Sequence, residues 1–299
     1  MRRSNLVLAI AVPVLWGFCF TMAKPASQHF PPLFMIAGVF CFVLVVYSAL
    51  FPGKFATPFW PGLVMASCAG SLQMIPLFMG LAQIDASFAV LILQAQVPIA
   101  VIAASLINNE VMSAGRFAGI IVAFLGVAAI AGLPEHPPSL VGVGLVLLGA
   151  AVWAVGQALI RRIGRDEPTR LYRLVAMYSA PQMLLSSFLL EKGQWASVVS
   201  ATLPQWTSFA LLAVVGSALG NLMWYTLLKR VRVDQATPFL LLMPVVGVVA
   251  SAGLLGEKLT HAHLIGGALI LAGLAIVLSV KQGGKPDALT AMRPVSTDT

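Results

Sequence analysis

Long apolar stretches recur along almost the whole chain, and they limit its fold more than any other feature of the sequence. Hydrophobic residues make up 59% of the 299 residues and charged residues only 9%, against about 25% charged residues in ordinary soluble domains. A helix of about 20 apolar residues crosses the hydrocarbon core of a bilayer. The sequence therefore predicts an all-α integral membrane protein rather than a soluble domain.

Turn and charge signals divide the apolar sequence into ten predicted membrane-spanning helices. Breaks such as "QHFPP" and "RRIGRDEPTR" contain the proline, glycine and charged residues that interrupt helices. The predicted spans cover residues 5–24, 32–51, 60–82, 84–107, 113–132, 139–161, 170–191, 204–229, 233–254 and 260–280. The polar segment 281–299 is predicted to be a disordered cytoplasmic tail.

The basic residues predict how these spans are oriented. With a cytoplasmic N-terminus, all but three of the 18 Lys and Arg residues lie on the cytoplasmic side, the exceptions being Lys24, Lys192 and Lys258. Such an excess is the usual bias of cytoplasmic loops. We therefore expect both termini inside and a multi-pass protein of the plasma membrane, which in bacteria is the inner membrane. The net charge of +8 reflects this orientation and not a nucleic-acid partner.

An alternative interpretation concerns the first predicted span. Residues 1–27 combine a basic start with an apolar stretch, which is also the pattern of a secretory signal peptide. Removal of that segment would leave nine helices and would break the internal repeat.

The repeat relates the two halves of the sequence by a shift of 147 residues, which aligns Glu110 with Glu257. The same shift aligns further pairs, namely Ser113 with Thr260, Gly119 with Gly266, and Gly126 with Gly273. Each unit, residues 5–132 and 139–280, contains five predicted spans. Because five is an odd number, the second unit enters the membrane from the opposite side. Inverted repeats are typical of secondary transporters with a site near the midplane between them, and a duplicated membrane scaffold is the alternative.

Three segments carry a resemblance to a known family: "LWGFCFTMAK" at residues 15–24, "VPIAVIAASLINNEVMS" at 97–113 and "MPVVGVVASAGLLGEKLT" at 243–260. Over about residues 5–280, the chain resembles the EamA-type ten-helix members of the drug/metabolite transporter superfamily. Among them it is most similar to exporters of amino acids, including aromatic amino acids. The resemblance implies a transporter of small molecules rather than an enzyme.

Uncharged polar residues within the predicted spans are the candidate substrate-binding groups. No Asp or Glu falls in the middle of a span, so the sequence offers no evident carboxylate for proton coupling. An amide both donates and accepts hydrogen bonds, so that Gln73, Gln94, Gln157 and Asn221 can meet both ends of a zwitterion. Hydrogen bonding between helices is the alternative role of these amides.

Large side chains at the same depth are the candidate walls of the site: Trp16, Phe78, Trp153, Tyr178, Trp224 and Met243. They lie away from the membrane interface, where Trp and Tyr usually act as anchors. The alternative is that these side chains only pack between helices and do not contact a substrate. Pro98 and Pro244 hold matching positions in the two repeats. Because proline removes a backbone hydrogen bond, both are predicted to be hinges, with static curvature as the alternative.

These observations predict export of small neutral or zwitterionic metabolites, among them aromatic amino acids, by alternating access. Carriers of purines, sugar nucleotides or drugs are the alternatives, but a sugar-nucleotide carrier should place Lys or Arg in the cavity for the phosphates, and no basic residue lies in the middle of a predicted span. The expected partners are the substrate and the lipid bilayer, and a monomer is compatible with the sequence. Catalytic motifs such as HExxH are absent, and we expect neither a metal nor a cofactor.

Overall fold

The computed structural model describes residues 3–84, 86–110, 113–132, 137–255 and 260–280. Within these ranges the chain is helical, with short connections and no strand. Asp85, Glu257, Lys258 and the predicted tail 281–299 lie outside the described residues.

Sixteen α-helices follow one another in the described ranges. They are α1 Arg3–Met22, α2 Lys24–His29, α3 Pro32–Leu50, α4 Phe59–Ala69, α5 Ser71–Leu81, α6 Ala86–Gln94, α7 Gln96–Asn108, α8 Ala114–Ala131, α9 Leu140–Ile163, α10 Pro168–Leu190, α11 Gln194–Ser200, α12 Leu203–Leu211, α13 Gly220–Arg230, α14 Val233–Ala236, α15 Met243–Leu255 and α16 His261–Ser279. A π-helical segment, Leu212–Leu219, joins α12 to α13, and a 3₁₀ segment, Thr237–Leu242, joins α14 to α15.

Eight helical segments of the described ranges are long and apolar enough to cross a membrane. They are Pro32–Leu50, Phe59–Leu81, Leu91–Asn108, Ala114–Ala131, Leu140–Ile163, Leu203–Arg230, Val233–Gly253 and His261–Ser279. Two other predicted spans coincide with α1, whose apolar part is shorter, and with the 23-residue α10, which carries Arg170 and Arg173 near its start. The prediction of an all-helical, multi-pass membrane protein is confirmed.

Four spans that the sequence predicts as continuous helices, 60–82, 84–107, 204–229 and 233–254, are interrupted. Gly70 separates α4 from α5, Ala95 separates α6 from α7, and the π-helical and 3₁₀ segments interrupt the other two. At Gly70 a Cβ atom would overlap the hydroxyl oxygen of Ser179, so the close approach of α10 requires glycine there. Irregular backbone at membrane depth is tolerated only where it is buried in protein or lines a cavity.

Helices α8 and α16 pack against each other along glycines that the internal repeat aligns. A Cβ atom on Gly119 would lie 2.7 Å from the Gly273 carbonyl oxygen, and one on Gly126 would lie 2.5 Å from the Gly266 carbonyl oxygen. Residue numbers therefore rise along one helix as they fall along the other, which makes the pair antiparallel. Small residues permit such backbone contact between membrane helices.

Helix α9 packs against α4 and α5 through three glycines at intervals of seven residues. A Cβ atom would lie 2.6 Å from the Ala69 nitrogen at Gly156, 2.8 Å from the Gln73 carbonyl oxygen at Gly149, and 3.3 Å from the Gly80 carbonyl oxygen at Gly142. These contacts set the distance between a helix pair of the first half and the first long helix of the second half.

Two carboxylates attach the ends of α10 to the first half of the chain. Asp166 accepts hydrogen bonds from the backbone nitrogens of Ala56 (2.7 Å) and Thr57 (2.9 Å) before α4. Glu191 accepts bonds from the first turn of α3, at Leu33 (2.7 Å) and Phe34 (2.9 Å). Although burial acts in the opposite direction, hydrogen bonds from Thr57 and Ala56 hold the pKa of Asp166 below its ordinary value.

Candidate substrate-binding cavity

A cavity of about 190 Å³ lies between the two halves of the chain. Both halves contribute lining residues: Trp16, Cys19, Ile36, Val39, Phe40, Ala69, Gln73, Met74, Leu77, Leu93, Gln96, Trp153, Gln157, Tyr172, Leu212, Gly216, Ser217, Asn221, Tyr225 and Met243. None of the described residues that line it is charged. Apolar walls with a few polar groups are typical of sites for small organic molecules.

The helix interruptions lie at the level of this cavity. Ala69 borders the break at Gly70, and Gln96 follows the break at Ala95. The π-helical segment supplies Leu212, Gly216 and Ser217, and Met243 directly follows the 3₁₀ segment. The irregular backbone therefore occurs where the helices enclose a cavity, as the cost of unpaired peptide groups in lipid requires.

Side chains of several helices hold the π-helical segment at the cavity wall. Trp16 donates its indole Nε1–H to the Gly216 carbonyl oxygen (2.9 Å), and the Tyr47 hydroxyl donates to the Ala218 carbonyl oxygen (2.7 Å). Between them, the Ser217 carbonyl oxygen accepts a bond from Asn221 Nδ2 (3.2 Å). Three consecutive carbonyl groups are thus bonded to side chains, which connects this segment to α1 and α3. π-Helical turns often occur at functional sites.

Three tryptophans form a cluster beside the cavity. The rings of Trp153 and Trp224 stack with centroids 6.1 Å apart, and Trp16 lies 5.9 Å from Trp224 in a tilted arrangement. Trp224 is only 1% exposed and donates its Nε1–H to Gln157 Oε1 at 2.8 Å. Trp16 and Trp153 therefore face the cavity, and Trp224 supports them from behind.

The structure brings six of the ten residues predicted for the binding site to the cavity lining: Trp16, Gln73, Trp153, Gln157, Asn221 and Met243. The other four lie elsewhere. Gln94 is buried and donates to the Leu240 carbonyl oxygen (3.2 Å), while Trp224 lies behind the wall. Phe78 packs on the hydrophobic core, and Tyr178 contacts the ring of Phe59 edge-on at 5.8 Å.

The two predicted hinge prolines lie in the first turns of helices that follow interruptions. Pro98 is the third residue of α7, and Pro244 is the second residue of α15. Proline is tolerated in a first turn because the missing N–H has no partner within the helix. The two prolines therefore lie beside breaks rather than within bent helices, and their role as hinges stays a prediction.

Three polar lining residues were not predicted from the sequence: Gln96, Tyr172 and Ser217. Tyr172 lies near the start of α10, in a turn that also carries Arg170 and Arg173. Its position at the end of a predicted span, beside charged residues, gave no sign of a binding site. Ser217 lies four residues before the predicted Asn221. That helical spacing is the one sequence signal that pointed to it.

A network of buried charges closes the end of the bundle at which α7, α9 and α13 finish. Glu110 accepts a bond from Arg161 Nε (2.8 Å), and Asp234 pairs with Arg116 Nη1 (2.9 Å) and Arg232 Nε (2.9 Å). The backbone nitrogen of Asp234 also donates to Glu110 Oε2 (3.3 Å). Both carboxylate side chains are at most 2% exposed. The network joins the two halves of the chain.

These charged residues were predicted at span ends, where the basic ones indicated the orientation of the spans and Glu110 marked the internal repeat. Burial raises the pKa of Glu110, and the positive charge of Arg161 acts against that rise. In the sequence, the opposite charges at the ends of two predicted spans were the signal that could have indicated this ion-pair network. No group of three or more His, Cys, Asp or Glu side chains within the described ranges is arranged for a metal ion. His263, near the start of α16, takes part in the N-terminal cap of that helix.

Comparison with known proteins agrees with this architecture. The model of the EamA-like transporter family matches the chain twice, at residues 3–132 and 140–279. The chain is 33% identical to a "Probable amino-acid metabolite efflux pump" of Salmonella typhimurium strain LT2, over 92% of this chain and 95% of that protein. It is 30% identical, with the same coverage, to the protein of that name in Escherichia coli strain K12.

A solved structure shares the fold. The protein in one crystal structure has a sequence 19% identical to this chain. The two structures superpose with a TM-score of 0.78, over 93% of this chain and 98% of that chain. Both bacterial relatives carry the name of a probable efflux pump. Together with the family match and the apolar spans, this places the chain among multi-pass transporters of the bacterial inner membrane rather than among enzymes. Because the family model covers both halves and the relatives span nearly the whole chain, the protein belongs to the EamA-like transporter family.

Proposed function

We propose that the protein exports small neutral or zwitterionic metabolites, chiefly amino acids with aromatic or bulky aliphatic side chains, by alternating access. The uncharged cavity between the two halves is the observation that carries this proposal. Its indole walls match a flat apolar side chain, and its amides can hydrogen-bond an ammonium and a carboxylate. The two bacterial relatives named as amino-acid metabolite efflux pumps support the same substrate class.

The charge distribution favours this substrate class over phosphorylated ones. A sugar nucleotide would need cationic groups in the cavity, whereas the described lining contains no Lys or Arg. Nor does any described lining residue carry a carboxylate that could couple transport directly to protons. We infer facilitated export down the solute gradient.

Measurement of flux tests this function. In proteoliposomes that contain radiolabelled phenylalanine, we expect efflux without an imposed pH or sodium gradient. Replacing Trp153 with alanine should slow efflux about two- to tenfold, since an aromatic contact contributes roughly 0.5–1.5 kcal/mol beyond its buried area. Trp195, which is 77% exposed, provides the matched control, and its replacement should leave flux unchanged.

Three results would contradict parts of this proposal. Phenylalanine efflux no faster than in protein-free liposomes would exclude this substrate class, and efflux that strictly requires a proton gradient would exclude uncoupled export. Equal flux in the Trp153→Ala and Trp195→Ala variants, at matched reconstitution, would place the substrate outside this cavity.

We propose further that ten spans form two inverted repeats with both termini in the cytoplasm. The antiparallel contact of α8 with α16 supports this arrangement, because these helices are aligned by the repeat. The 20-residue α1 and the 23-residue α10 provide the two spans beyond the eight apolar segments. At 1.5 Å per residue, each is about as long as the hydrocarbon core is thick.

Cysteine labelling tests the orientation of the repeats. Ala114 and His261 are exposed first residues of α8 and α16 and are aligned by the repeat. In a background without Cys19, Cys41 and Cys68, a membrane-impermeant maleimide should label a cysteine at 114 only from inside and a cysteine at 261 only from outside. Labelling of both positions from the same side would rule out inverted repeats.

A further inference from the structure

The buried charge network, which consists of Glu110, Arg116, Arg161, Arg232 and Asp234, lies about one helical turn from the cavity. Gln157, which lines the cavity, and Arg161 are four residues apart on α9, a spacing that places two residues on the same face of a helix. On α13, the lining residue Tyr225 comes three residues before Leu228, whose carbonyl oxygen accepts a bond from Arg161 Nη1 (3.2 Å). A solute that passes through this end of the bundle must therefore pass the level of Arg161.

The ion pairs of the charge network connect the two halves of the chain. Among the described residues, Glu110 pairs with Arg161 Nε at 2.8 Å and lies 3.9 Å from Arg232 Nε, while Arg116 pairs with Asp234 at 2.9 Å. Each of these contacts joins a residue of the first repeat to one of the second. All five side chains are at most 14% exposed. At this end the two halves therefore meet through buried ionic contacts.

Asn108, the last residue of α7, has a buried amide without a hydrogen-bond partner. Neither its Nδ2 nor its Oδ1 atom is bonded within the described part of the chain, and the residue is 9% exposed. Its neighbours in the sequence bond to the second half, because the Ile107 carbonyl oxygen accepts a bond from Arg162 and Glu110 accepts one from Arg161. A buried polar group without a partner destabilises the state in which it is buried.

On the basis of the proposed export by alternating access, we propose that the charge network is the cytoplasmic gate of the transporter and that Asn108 keeps this gate able to open. In the proposed topology this end of the bundle faces the cytoplasm. A solute bound for export therefore reaches the cavity after the ion pairs between the two halves have separated.

Buried ion pairs allow such a gate to open because water compensates for their separation. The cost of removing two charges from water offsets much of their mutual attraction in the closed state, and both charges regain water when the halves move apart. The amide of Asn108 has no partner in the closed state and gains water in the open one. It therefore shifts the equilibrium between the two states toward the open one.

Labelling of Cys19 from each side of the membrane tests this inference. Cys19 lines the cavity, and the substitutions Cys41→Ala and Cys68→Ala leave it as the one cysteine of the chain. A membrane-impermeant maleimide approaches the cavity from the cytoplasmic end in inside-out vesicles and from the outer end in right-side-out vesicles. Glu110→Gln leaves Arg161 buried without its partner in the closed state. We expect labelling from the cytoplasmic side at least about tenfold faster than in the wild-type background, and slower labelling from the outside.

Asn108→Leu should have the opposite effect. Leucine is close to asparagine in size and needs no hydrogen bond, so it stabilises the closed state. Labelling from the cytoplasmic side should become at least about fivefold slower, and labelling from the outside should not become slower. Glu167→Gln is the matched control, because Glu167 is an exposed glutamate just before α10, at the same end of the bundle. Its labelling should equal that of the wild-type background from both sides.

Opposite changes on the two sides are the readout, because a general folding defect would speed labelling from both. Unchanged labelling in Glu110→Gln, or faster labelling from both sides, would show that the charge network is a structural contact and not a gate. Unchanged or faster cytoplasmic labelling in Asn108→Leu would overturn the role of Asn108. The labelling needs no substrate. Absence of phenylalanine efflux therefore contradicts the proposed function alone, whereas these labelling results contradict the gate alone.

Discussion

Replacement of Gly156 with leucine is expected to abolish export and to destabilise the protein strongly. A Cβ atom at this position would lie 2.6 Å from the Ala69 nitrogen and 2.8 Å from the Ala69 Cα. These are backbone atoms that cannot turn away, so α9 must separate from α4. Overpacking of this kind costs about 1–3 kcal/mol and occasionally more. Because Trp153 and Gln157 flank Gly156 on α9, separation also displaces the cavity wall.

Gly144 on the same helix provides the matched control. It is exposed, and a Cβ atom there would meet nothing within 4 Å. Gly144→Leu should leave export intact and raise the unfolding free energy by up to about 1 kcal/mol, since glycine is a poor helix former. SDS-titrated unfolding in mixed micelles and phenylalanine efflux measure the two effects. Equal stability and flux in the two variants would show that the contact between α4 and α9 tolerates a side chain.

Loss of the Glu110 carboxylate should lower the unfolding free energy by about 3–5 kcal/mol. The reason is that removing one partner of a buried ion pair leaves an uncompensated buried charge. In the Glu110→Ala variant, Arg161 loses a bond of 2.8 Å, and the backbone nitrogen of Asp234 loses its carboxylate acceptor. The network joins the two halves, so their contact at this end should loosen.

Glu167→Ala is the control for this prediction, because Glu167 is an exposed glutamate before α10. An exposed charge typically contributes less than about 1 kcal/mol, so this variant should unfold like the wild-type protein in the same SDS titration. If Glu110→Ala unfolds within about 1 kcal/mol of Glu167→Ala, the buried network does not stabilise the contact between the two halves.

The apolar spans, the duplication and the transporter family could be predicted from the sequence because they depend on local composition and on residues at a constant shift. An apolar stretch of about 20 residues has few alternatives to a membrane helix. The repeat aligns Ser113 with Thr260, and the structure shows that both cap the helices that follow them. Six of the ten predicted binding-site residues line the cavity because mid-span polar and aromatic side chains tend to face the interior of a bundle.

The helix interruptions, the burial of the charged network and the orientation of the cavity amides were decided only by the tertiary structure. Each depends on partners far apart in the sequence: Trp16 and the π-helical Gly216 are 200 residues apart, Glu110 and Asp234 are 124 apart, and Gln157 and Trp224 are 67 apart. A glutamine in the sequence is equally a donor and an acceptor. The fold decides which of its groups already has a partner, as at Gln157, whose Oε1 accepts the indole N–H of Trp224.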